Sequence, residues 1–72
     1  MLNTNYAPEI ASAHKFVMEH SADTDLYNFL HEMRSPFLTH SERWSKIYDW
    51  MQEHYPEVTG TIITGLAYFL EG

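Results

Sequence analysis

Cysteine is absent from this 72-residue chain, which excludes a disulfide framework and any thiolate metal site and fits a reducing compartment. Cations are scarce: four Lys and Arg stand against ten Asp and Glu, for a formal charge of -6 and a pI near 5.1. Affinity for polyphosphate grows with the number of Lys and Arg that displace counterions, so this balance argues against direct binding of DNA or RNA. It argues equally against anionic membranes. Glycine is limited to Gly60, Gly65 and Gly72, too few and too scattered for a phosphate-cradling loop. The longest uncharged apolar segment, Val58 to Leu70, runs 13 residues, short of the about 20 that a helix needs to cross a bilayer. The opening MLNTNYAPEI lacks the basic and apolar regions of a secretory signal, so a cytoplasmic location is expected. No repeat, low-complexity tract or Gly/Ser linker divides the chain, and residues 1–72 read as a single domain.

What is present is a chain with 44% apolar and 15% aromatic residues, globular rather than disordered. The pattern predicts an all-α fold, a compact bundle of four short helices over residues 8–20, 24–34, 40–55 and 57–70. Pro8 suits a first helical position, where its missing N–H costs nothing. Ile10, Ala13 and Val17 then share a narrow stripe with His14 at its margin, and Phe16 falls off it. Ser21 to Asp25 offers N-caps and early carboxylates for a second helix, in which Leu26, Phe29, Leu30 and Met33 keep helical spacing. Pro36 ends that helix near Arg34 by driving Ser35 out of the helical region. Thr39 and Glu42 form a capping box for the third helix. Its inner face carries Trp44, Ile47, Tyr48, Met51 and Tyr55; its outer face carries Glu42, Lys46, Asp49 and Glu53. Glu42 and Lys46 are spaced for an i, i+4 pair.

After Pro56 the local propensity of Thr59, Thr61, Ile62, Ile63 and Thr64 favours a strand. A lone strand would leave its backbone unpaired, and nothing else in the chain reads as its partner, so a helix is expected. Val58, Ile62, Ile63, Leu66, Ala67, Phe69 and Leu70 would cover about half of its circumference, more than the roughly 100° stripe of a surface helix. Such a helix is covered on two sides. Either the three amphipathic helices wrap it, or part of it meets its twin in a homodimer across a two-fold axis. Gly60, Thr64 and Ala67 make an edge of small side chains that would permit the second arrangement.

Five histidines, His14, His20, His31, His40 and His54, make a metal site the first chemistry to test. Paired imidazoles on a helix recur at i, i+3 or i+4, as in H-E-x-x-H, and His31-Glu32 is not followed by that second His. No metal and no cofactor are expected. His20 and His54 fall near helix C-termini, where unpaired carbonyls attract imidazolium. Protonating all five would move the charge from -6 to about -1. Nucleophilic catalysis lacks a cysteine, a G-x-S-x-G elbow and a phosphate loop, and Asp23 with Asp25 reads as helix-start charge rather than an acid/base dyad. The chain is not expected to be an enzyme.

Charge and aromatics are more informative. Residues 1–33 carry -4, residues 34–46 carry +2 and residues 47–72 carry -4. Asp49 and Glu53 stand one helical turn apart, about 6 Å along the axis, and Glu57 extends the row if the Pro56 bend permits. That spacing resembles adjacent phosphates of one strand and would suit a basic groove on another protein. Trp50 falls on the shoulder of the third helix beside Arg43 and His54, an aromatic and an arginine of the kind that dominate interfaces. Tyr27, His31 and Arg34 make a comparable flank on the second helix. The competing reading is that these rings cover core edges or pack against Phe16 and Phe37.

The expected partner-binding set is therefore Asp49, Trp50, Glu53, Glu57, Arg43, Tyr27 and His31. The function expected is a non-catalytic, acidic protein-binding module, an inhibitor or regulator that occludes a basic, nucleic-acid-binding surface of a larger protein. Small acidic helical chains without motifs resemble, as a class, phage anti-defence and host-takeover factors, including anti-CRISPR and anti-restriction proteins, and antitoxins. The alternatives are a helix-turn-helix-like regulator, whose reading helix would offer only Arg43 and Lys46 to a groove, and a structural assembly subunit.

Overall fold

The computed structural model describes residues 6–71 and holds four helices in sequence: α1 (Ala7–Glu19), α2 (Thr24–Glu32), α3 (His40–His54) and α4 (Gly60–Glu71). No strand occurs among the described residues. The all-helical expectation holds, and packing overrides the strand propensity of residues 59–64. The leader reading of MLNTNYAPEI rests in part on residues 1–5, outside the described residues. No described helix is long and apolar enough to cross a membrane.

The first three helices each have a local cause. Pro8 lies in the first turn of α1. Asp23 caps α2, its Oδ1 accepting the Leu26 N–H at 3.1 Å. The capping box of α3 is complete: Glu42 N–H donates to Thr39 Oγ1 at 3.1 Å, and Thr39 N–H donates to Glu42 Oε1 at 2.9 Å. Such a cap contributes about 1 kcal/mol, and the Thr39 N–H, then the Thr39 hydroxyl, hold the Glu42 carboxyl below its ordinary range. The Glu42–Lys46 pair does not close; among the described residues the one basic side chain that meets a carboxylate is His40, whose Nδ1 lies 2.9 Å from Glu71 Oε2. At the C-terminal ends, ring nitrogens of His20 and His54 bond the carbonyls of Phe16 and Trp50, four residues back, at 2.8 and 3.0 Å.

Two boundaries differ from the sequence reading. The second helix stops at Glu32 rather than 34, because Arg34 and Ser35 tighten onto the carbonyls of His31 and Glu32 before Pro36. The fourth starts at Gly60 rather than 57. Val58 N–H instead turns back to the Tyr55 carbonyl at 3.0 Å, and Thr59 O receives the first N–H groups of α4.

α4 lies against both α1 and α3. Ile63, Leu66, Ala67 and Leu70 are buried with Ala13 and Phe16 of α1, Leu26 and Leu30 of α2, Met33, and Ile47 and Met51 of α3. Of the small-residue edge that would permit a twin, Ala67 is buried within the chain and Thr64 Oγ1 accepts the Trp44 indole N–H at 3.1 Å, while a Cβ at Gly60 would meet nothing within 4 Å. The close approach is made at Gly65, where a Cβ would lie 2.6 Å from the Glu9 carbonyl carbon and 2.9 Å from Ala13 Cβ. Phe16, placed off the apolar stripe of α1, is buried. It packs on His20 and edge-on to Tyr55, so α1 is covered from a second side. Tyr48, placed in the core, is exposed and stacks on Trp44 instead.

Candidate functional site: an acidic groove between α2 and α3

Three of the residues singled out by sequence meet in one groove. Lys46, Asp49, Trp50 and Glu53 recur at helical spacing along α3 and face Phe29, Glu32 and Met33 of α2 and its cap, across an open cleft of about 520 Å³. Trp50 is half-buried and forms a wall, its ring parallel to Phe29 at 4.7 Å and to His54 at 3.8 Å. Three carboxylates and one ammonium line the cleft, and none of them forms an ion pair within it. A cleft so lined has a negative field with an aromatic side, suited to a cationic side chain.

Glu32 is the member that sequence reasoning missed. It stands three residues after Phe29 and so shares that face of α2. Only the pairing of Phe29 with Trp50 brings it opposite Asp49 and Glu53. Glu57 lies on the exposed turn after Pro56, outside the groove lining.

Arg43 requires a correction. It is not on the surface beside Trp50: only 3% of it is exposed. Its Nε donates to the Met33 carbonyl at 2.7 Å, and its Nη2 donates to the carbonyls of Ser35 and Leu38 at 2.6 and 3.2 Å. The physical reason is the α2–α3 connector, whose carbonyls have no helical partner and need a donor fork. The spacing carried this signal, since Arg43, Ile47 and Met51 recur at i, i+4 and i+8 on the inward face. Phe37, at the outer side of the same connector, is 91% exposed, so the rings of Tyr27 and Trp50 do not pack on it. With Arg43 engaged, a groove-reading α3 keeps only Lys46.

Tyr27 and His31 do not join the acidic groove. They lie on another face of α2, stacked at 6.4 Å, and line a separate cleft of about 140 Å³ with Arg34 and Phe69. Asp23 has a structural post: besides capping α2 it accepts the Tyr55 hydroxyl, which ties the start of α2 to the end of α3. The Tyr55 bond, then the Leu26 N–H, hold the Asp23 carboxyl below its ordinary range, and Asp23 in turn pushes the Tyr55 phenol up.

Among the described residues no three His, Asp or Glu side chains converge where a metal could be held. Comparison with family models, curated proteins and solved structures finds no match to this chain.

Proposed function

We propose that this chain is a non-catalytic protein-binding module that receives a Lys- or Arg-rich segment of a larger protein in the α2/α3 groove. The observation that carries this reading is the convergence of Glu32, Asp49 and Glu53 around Trp50 with Lys46 as the sole cation. Basic segments of this kind are what nucleic-acid-binding proteins use to hold phosphate, so occupying one would inhibit or regulate its owner. Proteins of the phage anti-defence class act in this manner, and the acidity of this chain fits such a role. Long-range attraction from a charge of -6 speeds encounter, while the Trp50 wall and the carboxylates select what stays.

The test uses an Arg-rich decapeptide titrated into the full chain at low salt, followed by Trp50 emission in a Trp44→Phe background. Saturable binding that weakens with added salt is expected. Asp49→Lys together with Glu53→Lys should weaken it at least about tenfold, a change of about 1.4 kcal/mol. Equal binding by that variant, or no binding up to about 1 mM peptide, a limit near -4.1 kcal/mol, overturns the reading.

A further inference from the structure

A second face of the molecule is built in the opposite way. On either side of Tyr27 lie two clefts of about 290 and 140 Å³, which share Val17, Tyr27 and Leu30 as their common wall. Met18 borders the first and Phe69 the second. Met18, Tyr27 and Phe69 are 62%, 68% and 40% exposed, three of the five large apolar side chains left to solvent among the described residues. Asp23 is the one carboxylate lining either cleft, and Arg34 the one permanent cation. They stand at opposite ends of the face: Tyr27 comes four residues after Asp23, and Leu30 four residues before Arg34.

That arrangement is complementary to itself. A two-fold axis between Tyr27 and Leu30 superposes the Asp23 end of one copy on the Arg34 end of the other, as an isologous interface requires of every contact. It sets the two α2 helices antiparallel, with their dipoles opposed. It also brings the Met18 thioether of each copy to the Phe69 ring of the other, a favourable pairing of sulfur with an aromatic. Repulsion between two chains of charge -6 is lessened where they meet through clefts lined by a single carboxylate. A standard dimer covers about 800 Å² per partner, about a sixth of the 4849 Å² surface, and this face draws on α1, α2 and α4.

We infer that the chain pairs with a second copy of itself through the Tyr27 face, α2 against α2, with Arg34 of each protomer beside Asp23 of its partner. This goes beyond the acidic groove, which lies on another side of α2 and stays open in the pair.

Sedimentation equilibrium of the full chain from about 10 to 500 μM, the range in which a modest interface saturates, tests it. The mass should climb from 8.5 kDa towards twice that value. Tyr27→Asp, Phe69→Asp and Arg34→Glu should each raise the dissociation constant at least about tenfold. Helix content by circular dichroism should persist in Tyr27→Asp, because the residue is mostly exposed, and Phe37→Ala, at a ring that is 91% exposed and lines neither cleft, should pair as the parent does. The inference is overturned if the parent stays at 8.5 kDa throughout, which would leave the face to a foreign apolar partner. It is equally overturned if Tyr27→Asp and Phe69→Asp pair unchanged, or if Phe37→Ala alone abolishes pairing. Tyr27→Asp that no longer pairs yet still binds the basic decapeptide separates this inference from the groove reading.

Discussion

The seam between α1 and α4 and the junction between α2 and α3 close the same small core by different means. At the seam the two backbones come together: Gly65 of α4 sits against the Glu9 carbonyl and Ala13 of α1, with no side chain between them. At the α2–α3 junction the helices stand apart and are joined by long side chains. Phe29 stacks on Trp50, Tyr55 reaches Asp23, and Arg43 holds the connector by its carbonyls. Close backbone packing leaves no room for side chains between the helices, whereas spanning by rings and polar groups leaves a groove between the spans, and Glu32, Asp49 and Glu53 line it. In so short a chain, the helices that stand further apart are the ones that leave an open cleft.

If the seam is close-packed as described, Gly65→Ala is the most damaging small change in the protein. The new methyl would meet backbone of Glu9 and the Ala13 side chain, and backbone cannot swing aside as a flexible side chain can. A loss of at least about 3 kcal/mol in denaturant unfolding is expected, at the upper end of overpacking costs. Gly60→Ala, with nothing near its Cβ, should be neutral or stabilising by up to about 1 kcal/mol. Equal effects at the two glycines would erase the distinction between seam and junction.

The junction is tested next at Arg43. Arg43→Ala leaves the Met33 carbonyl buried without a donor and frees those of Ser35 and Leu38, which are partly open to water. About 2 to 3 kcal/mol should be lost, less than at Gly65 because solvent can replace two of the three bonds. Amide hydrogen exchange should quicken first in the connector and α2, with the α1/α4 seam protected longest. Arg43→Lys should recover part of the loss, since an ammonium can reach one carbonyl but does not present a planar fork.

Much of the fold was legible because it is written in local rules. The Thr39–Glu42 box, Asp23 as a cap, Pro8 and Pro36 as punctuation, and the breadth of the apolar face on α4 each act within a turn or two of themselves. What escaped was tertiary. Nothing near Gly65 in sequence says that a carbonyl from Glu9 will press on it, and nothing near Thr64 says that its hydroxyl will receive the Trp44 indole. Arg43 was read by residue type, as a surface cation, although its spacing with Ile47 and Met51 placed it inward. Asp49, Trp50 and Glu53 were visible as a group because one helix carries all three. Glu32 was not, because its membership depends on how α2 lies across α3.

The mildest probe is the polar strap between the two ends of the junction. Tyr55→Phe removes the bond that does most to hold the Asp23 carboxyl below its ordinary 3.8, while the cap to Leu26 remains. A carboxyl lowered in the folded state contributes stability that is present above 3.8 and lost as pH falls through the lowered value. The Tyr55 phenol, raised from 10.0 by the same bond, contributes stability that is present below 10.0 and lost as pH rises through the raised value. The melting temperature of the parent should therefore exceed that of Tyr55→Phe by a plateau amount between these limits, with the gap closing on both the acid and the alkaline side. Gly65→Ala should lower the melting temperature at every pH in that range alike, because no titrating bond is broken at the seam. A Tyr55→Phe gap that stayed constant into acid would mean that α2 is held by its apolar contacts alone, and the contrast between a packed seam and a polar junction would reduce to one of distance.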